Sequence, residues 1–121
     1  MRSIIPLCCA LLAAPLAAQE TPMSVVADSA AHTVLGQLAT VEGTVAEVKT
    51  RAHGGYLYLN LGGRFPDHRL GVLIPEAARE RFGDLEMLLG RRVRVTGQVW
   101  MQDGKWPAIT VSQPIALAVL P

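Results

Sequence analysis

Leu89-Gly90-Arg91-Arg92-Val93-Arg94-Val95-Thr96-Gly97-Gln98-Val99 is an alternating run entered and broken by glycine. Val93 and Val95 fall on one side of its period-two pattern, Arg92 and Arg94 on the other, which marks a half-buried strand. An earlier stretch, Leu38-Ala39-Thr40-Val41-Glu42-Gly43-Thr44-Val45, repeats the form apolar-x-Val-x-Gly-x-Val. A glycine inside a strand marks a bulge or a sharp bend. Two bent strands within about one hundred residues predict a small, strongly coiled barrel.

Outward from these two stretches the chain divides into short elements. The folded part is expected to begin near Val34. The first strand carries Val41, Gly43 and Val45 on one face and runs through Val48 and Lys49. Arg51-Ala52-His53-Gly54-Gly55 reads as a turn, its paired glycines giving the backbone freedom a turn needs. Tyr56-Leu57-Tyr58-Leu59-Asn60-Leu61 is a clean second strand, with the leucines on one face and Tyr56, Tyr58 and Asn60 on the other. Residues 62–68 form a loop and residues 69–74 a third strand. Pro75 stops that strand and suits the first turn of a helix. Residues 76–89 are expected to be that helix, with Gly83 as a possible break and Gly90 as its C-terminal stop. The fourth strand covers residues 92–101, Asp103-Gly104 is a hairpin turn, and the fifth strand covers residues 106–112. Residues 115–120 add a short terminal extension. The order is strand, strand, strand, helix, strand, strand. The fold class predicted is therefore all-β, a small five-stranded barrel with one helix between strands three and four, which is the layout of an OB-fold.

The N-terminus is read apart from this body. Met1-Arg2-Ser3 supplies a short positive start, residues 4–18 are apolar and small, and Leu16-Ala17-Ala18 precedes Gln19-Glu20. That pattern predicts a signal peptide over residues 1–18, and a protein that is periplasmic or secreted. Residues 19–33 lack periodicity and are expected to be a flexible leader, with the OB-fold domain over residues 34–121. Cleavage would remove Cys8 and Cys9, the two cysteines of the chain, so the body holds no disulfide. It would also remove Arg2, taking eleven Lys and Arg to ten, against ten Asp and Glu. A net charge near zero argues against generic, charge-driven nucleic-acid binding, though not against a local basic face.

Four stretches carry a resemblance: Val41-Glu42-Gly43-Thr44-Val45, Tyr58-Leu59-Asn60-Leu61-Gly62, residues 90–97 and Pro107-Ala108-Ile109. In order and spacing they resemble the exported or nuclease-associated bacterial OB-fold domains, over residues 34–118. Leu61 stands where that family often has Phe, and Trp106 interrupts its usual Gly-Lys-Pro run. The resemblance implies binding of single-stranded nucleic acid or oligosaccharide on the face of strands two and three. Many such domains bind proteins instead, and fold alone does not choose.

Candidate ligand-binding residues follow from the strand faces. With the leucines inward, Tyr56 and Tyr58 are outside on strand two, where exposed rings suit base stacking; packing against a loop or the leader is the plain alternative. Arg64 and Arg69 flank the loop after that strand, where guanidinium groups can pair with phosphates or stack on bases. Arg94, with Arg92, projects from strand four, where a solvated face balanced by Glu42, Glu47 and Asp67 is the favoured reading and phosphate pairing the other. Trp100 and Trp106 flank the hairpin turn and are expected to meet across it. Catalysis finds no support. The serines lie outside any nucleophile-elbow context, and His32, His53 and His68 are scattered, none at metal-ligand spacing. Asp67-His68 reads as a surface turn. Gly62-Gly63 lacks the Lys-Ser/Thr of a phosphate loop. The expectation is a non-catalytic binding protein without cofactor or metal. Its ligand would be single-stranded nucleic acid or an oligonucleotide, using Tyr56, Tyr58, Arg64, Arg69 and Arg94. The alternative is a periplasmic protein-protein or envelope-interaction module.

Overall fold

The computed structural model describes residues 25–121, so the expected signal peptide and residues 19–24 of the leader lie outside the described residues. The fold is all-β. Its strands are β1 (Val25–Ala27), β2 (Leu38–His53), β3 (Tyr56–Leu61), β4 (Leu70–Pro75), β5 (Arg92–Gln98), β6 (Trp100–Gln102), β7 (Trp106–Thr110) and β8 (Leu117–Val119). They form one sheet in the order β6-β7-β4-β3-β2-β5-β8, with β1 beside β2. The hydrogen-bonded order is an open path. Only Val99 separates β5, near one end, from β6 at the other. β4 and β7 run parallel, while β2-β3, β2-β5, β3-β4, β5-β8 and β6-β7 are antiparallel.

The alternation of β3 works as its sequence implies. Leu57, Leu59 and Leu61 are fully buried, together with Val41, Val72, Ile74, Val93, Val95 and Ile109 from neighbouring strands. Each such side chain contributes about 1.5–3 kcal/mol on leaving water, so this row dominates the core. The first strand runs further than its apolar pattern predicts. Arg51, Ala52 and His53 belong to β2, and the turn is Gly54-Gly55 alone, with φ of +62° and +87°. Asp103 and Gly104 also have positive φ, +52° and +68°, as a tight I′ hairpin turn requires.

Three expectations change. The helix over residues 76–89 is instead two 3-10 segments, Glu76–Arg81 and Leu85–Leu88, separated by extended Phe82 and by Gly83. Each buries one residue, Ala78 and Leu85. The Arg79 and Arg81 guanidinium groups donate to the carbonyls of Thr50 and Ser112 at 2.6 and 3.0 Å, tying the first segment to the sheet. The described part of the leader is inside the fold: β1 pairs in parallel with Thr40–Glu42 of β2, and the 3-10 segment Asp28–Val34 places Ala31 in the core. The mid-strand glycines are not bulges. Gly43 and Gly97 sit in regular ladder positions opposite Val93 and Ala39. A Cβ on Gly97 would come within 2.6 Å of Ile109 Cγ2, and one on Gly43 would collide with the Asp28 carboxylate. These glycines are close-approach sites.

Candidate functional site

The C-terminal half of β2 leaves β5 and turns with β3 into a separate part of the sheet, in which Lys49 faces Tyr58 and His53 faces Tyr56. Four residues of β2 span the interval that two residues of β3 span, so the register shifts between these pairs. Lys49, Arg51 and His53 thereby line the same groove as Tyr56 and Tyr58. The groove has a volume of about 900 Å3 and is completed by Phe65 and His68 from the loop after β3, and by Trp100, Gln102 and Asp103 from the β6–β7 hairpin. Asp103 is the one acid among its lining residues.

The floor follows from strand register. Asn60 of β3 faces Gly71 of β4, Gly71 faces Ala108 of β7, and Ala108 faces Trp100 of β6. Paired residues share a sheet face, so buried Gly71 and Ala108 lie in one row between Asn60 and Trp100, the two members of that row that line the groove. Tyr58 stands on one side, its hydroxyl donating to the His53 carbonyl at 3.3 Å. Trp100 stands on the other, its indole N–H donating to Thr110 Oγ1 at 3.2 Å. Phe65 is 52% exposed, with Lys49 Nζ 5.0 Å from its ring centre. That is a stacking surface already paired with a cation.

Glu47 and His68 hold the loop in place. Glu47 Oε1 accepts from Asn60 Nδ2 at 2.8 Å and from the Phe65 backbone N–H at 2.9 Å, and Arg64 lies 3.5 Å from its other oxygen. Burial pushes the Glu47 carboxyl up, but the Phe65 and Asn60 hydrogen bonds with Lys49 and Arg64 outweigh it and leave the group below the ordinary carboxylate range. His68 is 7% exposed. Its ring stacks on Trp106 at 5.3 Å and meets Phe65 at 5.7 Å. The Trp106 indole N–H in turn donates to the Pro66 carbonyl at 2.9 Å. Burial lowers the His68 pKa and the Lys49 charge adds to this, against the opposite pull of Glu47 and Asp67.

Of the residues singled out in the sequence, Tyr56 and Tyr58 line the groove, and both are half-buried. Arg64 stands at its edge through Glu47. Arg69 does not line it: its side-chain stem lies against Gly62, beside the Asp28 carboxylate. Arg94 is remote from it, because β5 pairs with the other half of β2, where Arg94 and Arg92 share the Glu42 carboxylate. Trp100 and Trp106 do not meet across the hairpin either. Their ladder partners are Ala108 and Gln102. Nor is Asp67-His68 a plain surface pair, since His68 is buried. Lys49, Phe65, Gln102 and buried Asn60 are groove residues that strand-by-strand reading missed. The legible signal was Glu47, Lys49, Arg51 and His53 at every second position, which extends the strand to the turn.

Among the described residues no group of His, Cys, Asp and Glu could hold a metal ion. No family model matches the chain. No curated protein matches it either. Among solved structures it is similar to OBody AM3L15 bound to hen egg-white lysozyme, at 16% identity and a TM-score of 0.52, covering 84% of this chain and 98% of that one. It is also similar to a protein from Leishmania major Friedlin assigned as an aspartyl-tRNA synthetase, at 11% identity and a TM-score of 0.51. That match covers 84% of this chain and 21% of the other, so this chain spans about a fifth of the synthetase. At such identities the likeness is one of fold.

Proposed function

We propose that the protein is an exported, non-catalytic OB-fold binding protein that holds single-stranded nucleic acid or an oligonucleotide in the Tyr56–Tyr58 groove. Read as an OB-fold, β5 and β6 are one strand bent at Val99. That strand links the two ends of the sheet order, and with β2, β3, β4 and β7 it makes a five-stranded barrel to which β1 and β8 are additions. The similarity to the OBody over nearly its whole length supports this architecture. The observation that carries the ligand reading is the mixture of groups in one groove. Tyr56, Tyr58, Phe65 and Trp100 offer ring surfaces beside Lys49 and Arg51, with Asp103 as the one lining acid. Aromatic faces for bases and cations for the backbone are what a sequence-tolerant single-strand site combines. Arg64 at the edge extends the basic side.

The OBody neighbour is bound to a protein, lysozyme, and this favours protein docking as the second reading. Titrating the purified protein with a labelled oligonucleotide separates the two. The expected result is saturable binding at low salt, weakened by about 1–3 kcal/mol in each of Tyr56→Ala and Tyr58→Ala. Absence of binding at low salt, or indifference to both substitutions, removes the nucleic-acid reading.

A further inference from the structure

Three rings join the loop after β3 to the β6–β7 hairpin. The centres of Phe65 and Trp106, His68 and Trp106, and Phe65 and His68 are 5.1, 5.3 and 5.7 Å apart, and Phe65 and His68 line the groove. The loop is fixed to the sheet by backbone bonds at its ends. The Gly62 N–H donates to the Thr44 carbonyl at 3.0 Å, and the Arg69 N–H to the Leu61 carbonyl at 2.8 Å. Between those ends its ties to other elements run through side chains: Glu47 on the Phe65 N–H, Trp106 on the Pro66 carbonyl, and the ring cluster itself. The middle of the loop is thus free to part from the hairpin without breaking a strand ladder, which is the kind of local opening that costs less than unfolding.

His68 is the titratable member of this cluster. Its Nδ1 is buried with no hydrogen-bond partner. A neutral imidazole accommodates this by carrying its proton on the other nitrogen, whereas an imidazolium carries one on each. Charging the ring therefore buries a cation and sets an N–H where nothing accepts it. The charged groups on the elements around the ring are Glu47 and Lys49 of β2, Arg64, Asp67 and Arg69 of its own loop, and Asp103 and Lys105 of the hairpin. β4 and β7 bring none. Glu47 is already taken up by Asn60, Phe65 and Arg64, and Lys105 Nζ stands 5.7 Å from the centre of the Trp106 ring. We propose that the ring cluster is an acid-released clasp: neutral His68 holds Phe65 and its loop against the hairpin, and protonation of His68 parts them. Resting on the single-strand reading above, acid then weakens oligonucleotide binding by taking Phe65 away from the groove. That sign is opposite to the effect of charge alone, since a proton gained by a groove histidine strengthens attraction to a polyanion.

Hydrogen exchange on the ligand-free protein tests the clasp directly. It is measured from about one pH unit above to about one below 6.5, the ordinary histidine value, and referred to the intrinsic exchange rate at each pH. Glu47, held below the ordinary carboxylate range, stays ionised across this interval. Protection of the Phe65 amide and the Trp106 indole is expected to fall with pH, while that of the Leu59 amide, inside the β3 ladders, is kept. Affinity for a labelled oligonucleotide at constant salt falls over the same interval, by at most about tenfold for a single proton. In His68→Phe, whatever its own affinity, the ratio between the two ends of the range no longer favours the higher pH. Protection that holds at Phe65 and Trp106 throughout, or that is lost together with that of Leu59, overturns the clasp. An affinity that does not fall while the clasp opens overturns its link to the groove. If no oligonucleotide binds at either pH, the single-strand reading fails, and the exchange measurement still decides the clasp.

Discussion

Glu47 gathers three groups onto one carboxylate: a buried amide, a loop backbone N–H and a guanidinium. Both strong hydrogen bonds reach the same oxygen, so Glu47→Gln can keep them and loses the charge and the exposed Arg64 pairing. Glu47→Ala leaves the Asn60 amide, 3% exposed, without its acceptor. The expected cost is about 1–3 kcal/mol, the usual penalty for an unsatisfied buried donor. Glu47→Gln is expected to cost clearly less, and urea unfolding of the two variants tests the order. His68 gives a prediction in pH. Burial, with Lys49, lowers its pKa against the pull of Glu47 and Asp67, so the unfolded chain takes up the proton first as pH falls. Stability attached to the neutral ring is full above about 6.5, the ordinary histidine value, and declines below it until the lowered folded value is passed. His68→Phe keeps a ring against Trp106 and removes the titration. Its stability is expected to fall less than that of the unmodified protein between pH 7 and pH 5, measured by denaturant unfolding at each pH.

The repeated glycine stretches show how an element can be read correctly for the wrong reason. Their alternation identifies β2 and β5, but their glycines answer to tertiary neighbours. Gly97 lies under the Ile109 branch. Gly97→Ala is expected to destabilise by about 1–3 kcal/mol, the range for overpacking a filled core. Ile109→Leu removes the Cγ2 branch that the new methyl would strike. The double variant is therefore expected to be less destabilised than the sum of the singles, by at least about 0.5 kcal/mol in a double-mutant cycle. Additive effects would show that Gly97 is not constrained by that contact. β3 and the Asp103-Gly104 hairpin were legible because strict alternation and positive-φ turn residues are local signals. The segment over residues 76–89 was not. Its apolar spacing is helical, but Arg79 and Arg81 anchor it on the carbonyls of Thr50 in β2 and of Ser112 just after β7, and such distant partners leave no local pattern. β1 was missed for the same reason: three residues take their order from a ladder to β2.

At the scale of the molecule, net charge and local charge part company. The chain carries a formal charge of +1, so any binding to a polyanion must come from where its cations sit. The site was half legible: the outward face of β3 picks out Tyr56 and Tyr58, while Phe65 and His68 come from a loop whose placement depends on Glu47 and Trp106. The arginines divide by position. Arg92 and Arg94 are held by Glu42 on the part of β2 that pairs with β5, whereas Lys49 and Arg51 line the groove and Arg64 stands at its edge. For a single strand, log K falls against log salt with a slope of about −0.7 per phosphate neutralised, so three cations give a slope of about −2. Raising salt from about 50 to 200 mM is then expected to weaken oligonucleotide binding by roughly an order of magnitude. Lys49→Gln or Arg51→Gln is expected to flatten the slope by about 0.7, whereas Arg94→Gln leaves it unchanged. Titration of the four proteins across that salt range makes the test. A slope near zero assigns the groove to apolar docking of a protein. A slope that responds to Arg94 as strongly as to Lys49 moves the nucleic-acid path onto the β5 surface, away from the tyrosines.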